Sequence, residues 1–251
     1  MTINLGSNIA SFNKVASSYG SYNKVQNYVF GQLSEKLIVK NLVRCVDIGC
    51  ASGENTYKLF KKFNNAHVIG IDSAVNMIAK AKDNFNYPNL EFLLASYYYI
   101  SKLSHVDCIV SNASMQWFEN LDSFFECLSL FSSNTTQIAL SAFLPGTYYE
   151  LADAIRNCVN SDFYIPAESF YSETYYSNLV QNYLPHLGLH LYSVSTTFKS
   201  IRELLQSIQL TGVNSSDHRL SLTKSSINQL ETYLLNRYGC FRMTFKYLLI
   251  Y

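Results

Sequence analysis

The sequence has few of the residues that interrupt regular structure and little excess charge of either sign. It contains 4 prolines and 10 glycines among 251 residues, and its formal net charge is +1. This balance gives no general electrostatic attraction to nucleic acid or to a membrane surface, so neither partner is expected. No apolar run reaches the length of a membrane span. The length suits one α/β domain with an elaboration.

The N-terminus and the cysteines are those expected of a cytoplasmic protein. The first five residues lack the charged start and apolar core of a secretory signal peptide. Six cysteines are scattered without C-x-x-C pairs, which indicates reduced thiols rather than disulfides or zinc ligands. The five histidines show no metal spacing, and no Ser-His-Asp or Cys-His arrangement stands out. No metal site is therefore predicted.

Seven apolar segments alternate with helical patterns along the chain. We expect strands at about 42–48, 66–71, 90–94, 106–111, 136–142, 190–198 and 243–250. Helical spacing of apolar residues is expected over 8–40, 54–63, 74–84, 121–131, 200–211 and 225–237. This alternation predicts a doubly wound α/β fold with a mostly parallel sheet, whose last two strands pair antiparallel.

The most informative motif is Val-Asp-Ile-Gly-Cys-Ala-Ser-Gly at residues 46–53, between a strand pattern and a helix pattern. Glycines at 49 and 53 let the backbone turn tightly and approach a ligand, and the amides of the following helix start face that ligand. Asp72 ends the next predicted strand, at a distance that suits an acid binding a ribose hydroxyl. Together these features predict an adenosine-type ligand at the C-terminal edge of a parallel sheet.

The glycine spacing distinguishes this loop from other nucleotide loops. A dinucleotide fingerprint requires G-x-G-x-x-G, whereas this loop has Gly49-x-Ala51-x-Gly53, and no phosphate-binding G-x-x-x-x-G-K-[ST] is present. An acid at 47 followed by this spacing resembles motif I of the class I S-adenosylmethionine-dependent methyltransferases. The resemblance implies a Rossmann-like, mostly parallel seven-stranded sheet with an inserted helical lid, and S-adenosyl-L-methionine as cofactor. A plain tight turn in an α/β protein is the alternative.

The same resemblance implies a set of cofactor-binding residues at the strand ends: Asp47, Gly49, Cys50, Gly53, Asp72, Ser73, Met77, Ser96, Tyr97 and Asn112. The family often has an aspartate for the adenine amino group where this sequence has serine at 96. Serine and the adjacent backbone groups still offer hydrogen bonds.

Four residues are candidates to orient the methyl acceptor: Tyr19, Gln116, Trp117 and Arg202. The only tryptophan follows the fourth predicted strand, where it either walls the ligand or packs as core beneath the lid. The glutamine beside it can donate hydrogen bonds to a carboxylate. Tyr19, on the N-terminal helical pattern, either approaches the methyl donor or takes part in ordinary helix packing.

Further segments resemble the malonyl-[acyl-carrier protein] O-methyltransferases of biotin synthesis, namely residues 9–19, 111–117, 201–213 and 241–250. This resemblance implies methylation of the free carboxylate of malonyl-acyl carrier protein (or malonyl-CoA). We expect the enzyme to be a monomer. A carboxylate is already ionised at neutral pH, so no general base is required. Residues 112–117 also resemble the trans-aconitate methyltransferases. Methylation of a small acid therefore stays an alternative, as does a non-catalytic cofactor-binding protein.

The pattern divides the chain into four predicted segments. Residues 1–40 form a helical cap, 41–146 the cofactor-binding core, 147–185 an aromatic-rich lid, and 186–251 the completion of the sheet. Residues 199–246 carry seven Lys and Arg against three acidic residues. An acidic carrier protein would account for this excess, and a solvated face without a partner is the alternative.

Overall fold

The computed structural model describes residues 5–17, 19–38, 42–64, 66–133, 135–210 and 222–251. Its centre is a seven-stranded sheet with the order β3-β2-β1-β4-β5-β7-β6. The strands are β1 Arg44–Ile48, β2 His67–Asp72, β3 Leu90–Leu94, β4 Cys108–Ser111, β5 Gln137–Phe143, β6 Leu189–Phe198 and β7 Phe241–Ile250. The first five strands are parallel, and β7 runs antiparallel to both β5 and β6. The predicted doubly wound, mostly parallel sheet is confirmed.

Helices flank this sheet and form its connections. They are α1 Leu5–Val15, α2 Tyr19–Tyr22, α3 Lys24–Glu35, α4 Glu54–Lys62, α5 Val75–Asn84, α6 Leu121–Phe131, α7 Tyr149–Cys158, α8 Glu173–Tyr183, α9 Ile201–Leu210 and α10 Lys224–Tyr238. The sequence predicted one helical stretch over 8–40, whereas the structure has three separate helices, α1 to α3, in this region. Asn23 precedes α3 outside helical geometry and its side chain accepts a hydrogen bond from Asn27 at 2.7 Å. Asparagine favours such helix boundaries because its short amide competes for local hydrogen bonds.

The sheet is covered on both faces, which explains its nearly continuous apolar strands. Along β1, Cys45 belongs to the core cluster that includes α3, α4, α7 and α10, whereas Val46 belongs to the cluster that includes α6 and α8. Both side chains are fully buried. None of the described helices has the length and apolar character that a membrane crossing requires.

Residues 147–185 contribute to both faces of the sheet. Helix α7 packs on α10 and β7, whereas α8 packs on α6. The connection between the two helices therefore passes from one face to the other, and it carries Phe170 to the ring of Trp117. The division of the chain into cap, core, lid and completion stays a prediction.

Candidate active site

The turn between β1 and α4 requires glycine at two positions. Gly49 and Gly53 have φ angles of +75° and +88°. A Cβ on Gly49 would lie 2.5 Å from the Cβ and Oγ atoms of Ser114, and one on Gly53 would lie 2.8 Å from the ring of Phe92. Backbone conformation and space therefore both exclude a side chain at these positions.

Asp72 joins this turn to the end of β2. Its Oδ2 atom accepts a hydrogen bond from the backbone N–H of Ala51 at 2.9 Å, and its Oδ1 atom accepts one from Ala74 at 2.8 Å. Burial raises the pKa of this carboxyl group, and the backbone hydrogen bonds oppose that rise. The carboxylate remains partly exposed towards a cavity, where it can accept hydrogen bonds from the hydroxyls of a ribose.

A cavity of about 440 Å³ lies at the C-terminal ends of β1, β2 and β4. Its volume falls in the range of small-molecule and cofactor sites. Seven of the residues predicted to bind the cofactor line it: Gly49, Asp72, Ser73, Met77, Ser96, Tyr97 and Asn112. These residues fit an adenosine cofactor because a glycine turn, a carboxylate and several hydroxyl and amide groups meet on one cavity.

The other three predicted cofactor residues lie beside or behind this cavity. Asp47 and Cys50 line a smaller pocket at the turn, and Gly53 precedes α4 and packs on Phe92. The Asp47 side chain is buried and accepts a hydrogen bond from the Thr56 hydroxyl at 2.7 Å. Burial raises the pKa of Asp47 from 3.8 to about 7, with the Thr56 hydrogen bond opposing the rise.

The two amide side chains after β4 have partners within the protein. Asn112 lines the cavity, donates to the carbonyl of Gln26 at 3.0 Å and accepts from the Ser141 hydroxyl at 2.8 Å. Gln116 is buried, donates to the carbonyl of Ala113 at 2.7 Å and accepts from the N–H of Phe143 at 3.4 Å. The Gln116 amide thus stabilises the turn after β4, and its contact with an acceptor carboxylate stays a prediction.

Trp117 combines both roles that its sequence position left open. Its ring packs edge to face between Phe12 and Phe170, at centroid distances of 5.8 and 4.9 Å. The same ring lines the cavity. Phe12 lies in the N-terminal segment that resembles the methyltransferases, and Phe170 lies in the predicted aromatic-rich lid, but no sequence signal paired either ring with Trp117.

Tyr19 reaches the cavity, whereas Arg202 does not. Burial raises the pKa of the Tyr19 phenol, and the charges of Asp72 and Glu54 raise it further, so this hydroxyl remains a neutral donor at neutral pH. Arg202 lies exposed on α9 and is absent from the lining of the cavity. Its neighbour Ile201 is the residue of this turn that enters the core, which leaves Arg202 on the solvent face. Arg202 is thus not among the residues that line the cavity, and its role in orienting the acceptor stays a prediction.

The basic residues between 199 and 246 differ in their surroundings. Arg242 forms an ion pair with the buried Glu150 at 3.3 Å and lies over the ring of Tyr238. Five others are exposed: Lys199, Arg202, Lys224, Arg237 and Lys246. Arg219 lies outside the described residues, as do residues 211–213 of the segment that resembles the methyltransferases. Arg242 is therefore engaged in folding contacts, and the exposed residues remain free to meet an acidic surface.

Sequence reasoning missed part of the cavity lining, namely Ile9, Phe12, Tyr98, Ser114, Phe118, Glu119 and Asn120. Ser114 is the most informative of these. It packs against Gly49, and its hydroxyl bonds to that of Ser111 at 2.7 Å and to the carbonyl of Ile48 at 3.2 Å. Only the spatial pairing of β1 with β4 reveals this contact.

Comparison with known proteins decides the class to which this arrangement belongs. Residues 45–130 match the family described as "Methyltransferase domain". The chain is a class I S-adenosylmethionine-dependent methyltransferase. It is 27% identical to a malonyl-[acyl-carrier protein] O-methyltransferase of Bacillus anthracis over 215 residues, which cover 82% of this chain and 80% of that protein. It is also 27% identical to the protein of that name from Acetivibrio thermocellus over 239 residues, covering 88% and 84%.

Solved structures show the same fold. A methyltransferase from an antibiotic biosynthesis pathway of Anabaena variabilis superposes with a TM-score of 0.60 at 14% identity, covering 89% of this chain and 96% of that one. The predictions of an S-adenosylmethionine-dependent O-methyltransferase and of its cofactor are confirmed. In this methyltransferase, the residues around Gly49 and Asp72 are the ones that would hold the cofactor.

Proposed function

We propose that this methyltransferase acts on the free carboxylate of a malonyl group carried as a thioester on acyl carrier protein. The two relatives described above bear that activity in their names and match most of the chain. When bound, the cofactor supplies a sulfonium methyl group, and its transfer to a carboxylate oxygen forms an O–C bond, breaks the S–C bond and leaves the electron pair on sulfur. The malonyl methyl ester would then prime pimeloyl synthesis for biotin.

The lining of the cavity is the observation that carries this proposal. Among the described residues around the cavity and the two small pockets beside it there is no lysine, arginine or histidine. An acceptor that must lose a proton needs a base of suitable pKa within reach. Asp47 has a pKa of about 7 but is enclosed at the turn and bonded to Thr56. A carboxylate fits this lining because it arrives already ionised.

The same lining favours an acceptor with one negative charge. The charged side chains around the three cavities are all acidic: Asp47, Glu54, Asp72 and Glu119. A charge that leaves water without a partner costs several kcal/mol. A malonyl thioester brings one carboxylate, which the positive sulfonium can pair, whereas trans-aconitate brings three. The absence of cations among the described lining residues therefore supports the thioester over the tricarboxylate.

The aromatic wall supplies the conditions for the transfer. Phe12, Trp117 and Phe170 pack edge to face beside the cavity and reduce the access of water to it. A dry site strengthens electrostatic attraction and holds the reactants at attack distance, which is the main requirement for a reaction without proton transfer. The monomeric state and the cytoplasmic location stay predictions.

Mass spectrometry of malonyl-acyl carrier protein after incubation with the protein and S-adenosylmethionine tests the proposal. Malonyl-CoA, free malonate and trans-aconitate serve as parallel acceptors. We expect one added methyl group on the carrier-bound malonyl group, at a much higher rate than on the free acids. Faster methylation of trans-aconitate would favour the small-acid alternative. Cofactor binding without methylation of any acceptor would favour the non-catalytic alternative.

A further inference from the structure

A second, smaller pocket adjoins the main cavity at Trp117. It has a volume of about 20 Å³, enough for one small group. Phe12, Tyr19, Ala113 and Trp117 line both this pocket and the main cavity, so the two spaces are neighbours. Tyr148, immediately before α7, lines only the smaller pocket.

Tyr148 has a backbone conformation that tyrosine rarely adopts. Its φ and ψ angles are +64° and 23°, in the left-handed region. Such a conformation costs a non-glycine residue about 1–3 kcal/mol and persists where the surroundings impose it. Strand β7 imposes it here, because the Tyr148 N–H donates to the carbonyl of Thr244 at 2.8 Å and the ring packs edge to face on Phe245 at 4.9 Å. The fold thus holds this phenol in the pocket at a local cost.

The Tyr148 hydroxyl lacks a partner within the described part of the chain. The residue is 3% exposed, and its hydroxyl makes no hydrogen bond to another described residue. The hydroxyl is therefore available to a molecule that enters the pocket. Burial raises the pKa of this phenol, and the nearby Tyr19 raises it further, so both hydroxyls stay protonated and can donate. The pocket therefore presents two neutral hydroxyl groups, and both can donate hydrogen bonds to a ligand oxygen.

We propose that Tyr148, together with Tyr19, binds the carboxylate of the methyl acceptor in this pocket. The inference rests on the proposed function and adds the acceptor-binding residues to it. Hydrogen bonds to an ionised acceptor are about twice as strong as neutral ones, so two phenols can orient a carboxylate without a cation. An arginine in their place would neutralise the attacking oxygen and compete with the sulfonium charge. The phenols instead leave that charge available for the reaction.

The test compares Tyr148→Phe with Tyr176→Phe. Tyr176 is a suitable control because its hydroxyl is buried and without a partner, and it lies on α8 in the core cluster shared with α6, outside the three pockets. We expect Tyr148→Phe to lower kcat/KM for malonyl-pantetheine by about 10–100-fold, the value of one hydrogen bond to a charged group. Tyr176→Phe should stay within twofold of the unmodified protein. The affinity for S-adenosylmethionine, followed by Trp117 fluorescence, should be the same in all three proteins.

Two results would overturn the inference. One is an unchanged kcat/KM in Tyr148→Phe, and the other is a loss confined to cofactor affinity. Calorimetry of malonyl-pantetheine binding to protein saturated with S-adenosylhomocysteine separates the inference from the proposed function. Tenfold weaker binding by Tyr148→Phe supports the inference, and equal binding by both proteins contradicts it while the proposed function stands. If the unmodified protein neither binds nor methylates a malonyl thioester, the proposed function fails and the inference fails with it.

Discussion

Replacing Gly49 by alanine should destabilise the protein by roughly 2–5 kcal/mol. The φ angle of +75° contributes about 1–2 kcal/mol of this loss, because an L-residue there brings its Cβ too close to the following carbonyl. The second contribution is steric, since the new Cβ would lie 2.5 Å from both side-chain atoms of Ser114. Forcing an extra carbon into such a packed place typically costs about 1–3 kcal/mol. The loss is large beside the 5–15 kcal/mol that stabilises an ordinary domain.

A second substitution separates the two contributions. Ser114→Gly removes the side chain that the new Cβ would meet, so the double variant should recover the steric part and keep the conformational part. Ser114→Gly alone also loses the hydroxyl bonded to Ser111 and Ile48, and a double-mutant cycle removes this cost from the comparison. We expect the double variant to be about 1–3 kcal/mol more stable than the sum of the two single losses would give.

Urea unfolding followed by circular dichroism measures these free energies, and Gly31→Ala is the matched control. Gly31 lies inside α3, and a Cβ there would meet nothing within 4 Å. Alanine at this position should stabilise the protein by about 0.5–1 kcal/mol through helix propensity. A Gly49→Ala protein with the stability of the unmodified one would refute the steric and conformational reasoning, as would a cycle with no coupling.

Three further predictions concern the site and its surface. Asp47 keeps its proton up to about pH 7 when folded but releases it near pH 3.8 when unfolded, so the free energy of unfolding should fall as the pH rises through this window. The melting temperature of Asp47→Asn should depend less on pH between about 4 and 7 than that of the unmodified protein. An unchanged pH dependence would contradict the raised pKa of Asp47. Asp72→Ala should abolish cofactor binding in calorimetry while circular dichroism stays unchanged; unaltered affinity would exclude the ribose role. Lys199→Ala with Arg202→Ala should raise KM for malonyl-acyl carrier protein but not for malonyl-pantetheine, and equal effects on both would argue against a carrier-docking face.

The elements around the cofactor loop were predictable because their signals are local. Strands β1 to β5 are apolar segments that need no distant partner to be recognised, and the helix that follows the loop begins within a residue of its predicted start. The division of the N-terminal helical region was not predictable from apolar spacing. The start of α3 after Asn23 is marked by a hydrogen bond between the Asn23 and Asn27 side chains, and this bond has no effect on the spacing of the apolar residues.

Arg202 shows what local reasoning about the site leaves open. A basic residue in a segment that resembles a methyltransferase is a sensible partner for a carboxylate, but the rotation of α9 decides where it points. Burial of Ile201 and Leu204 sets that rotation, and Arg202 faces solvent as a result. Phe170 reaches the site because the connection between α7 and α8 passes from one face of the sheet to the other. Tyr148 reaches it because its backbone pairs with β7.

The sequence by itself determined the parallel sheet, the glycine turn and the acid at the end of β2, because each follows from side-chain period or backbone freedom over a few residues. Only the tertiary structure decided the acceptor side of the cavity. Its residues come from α1, α2, the turn after β4 and the turn before α7, and contacts between segments far apart in sequence fix their positions. The charge of the site is likewise a tertiary property, since a nearly neutral chain forms a cavity whose described lining has acidic but no basic side chains.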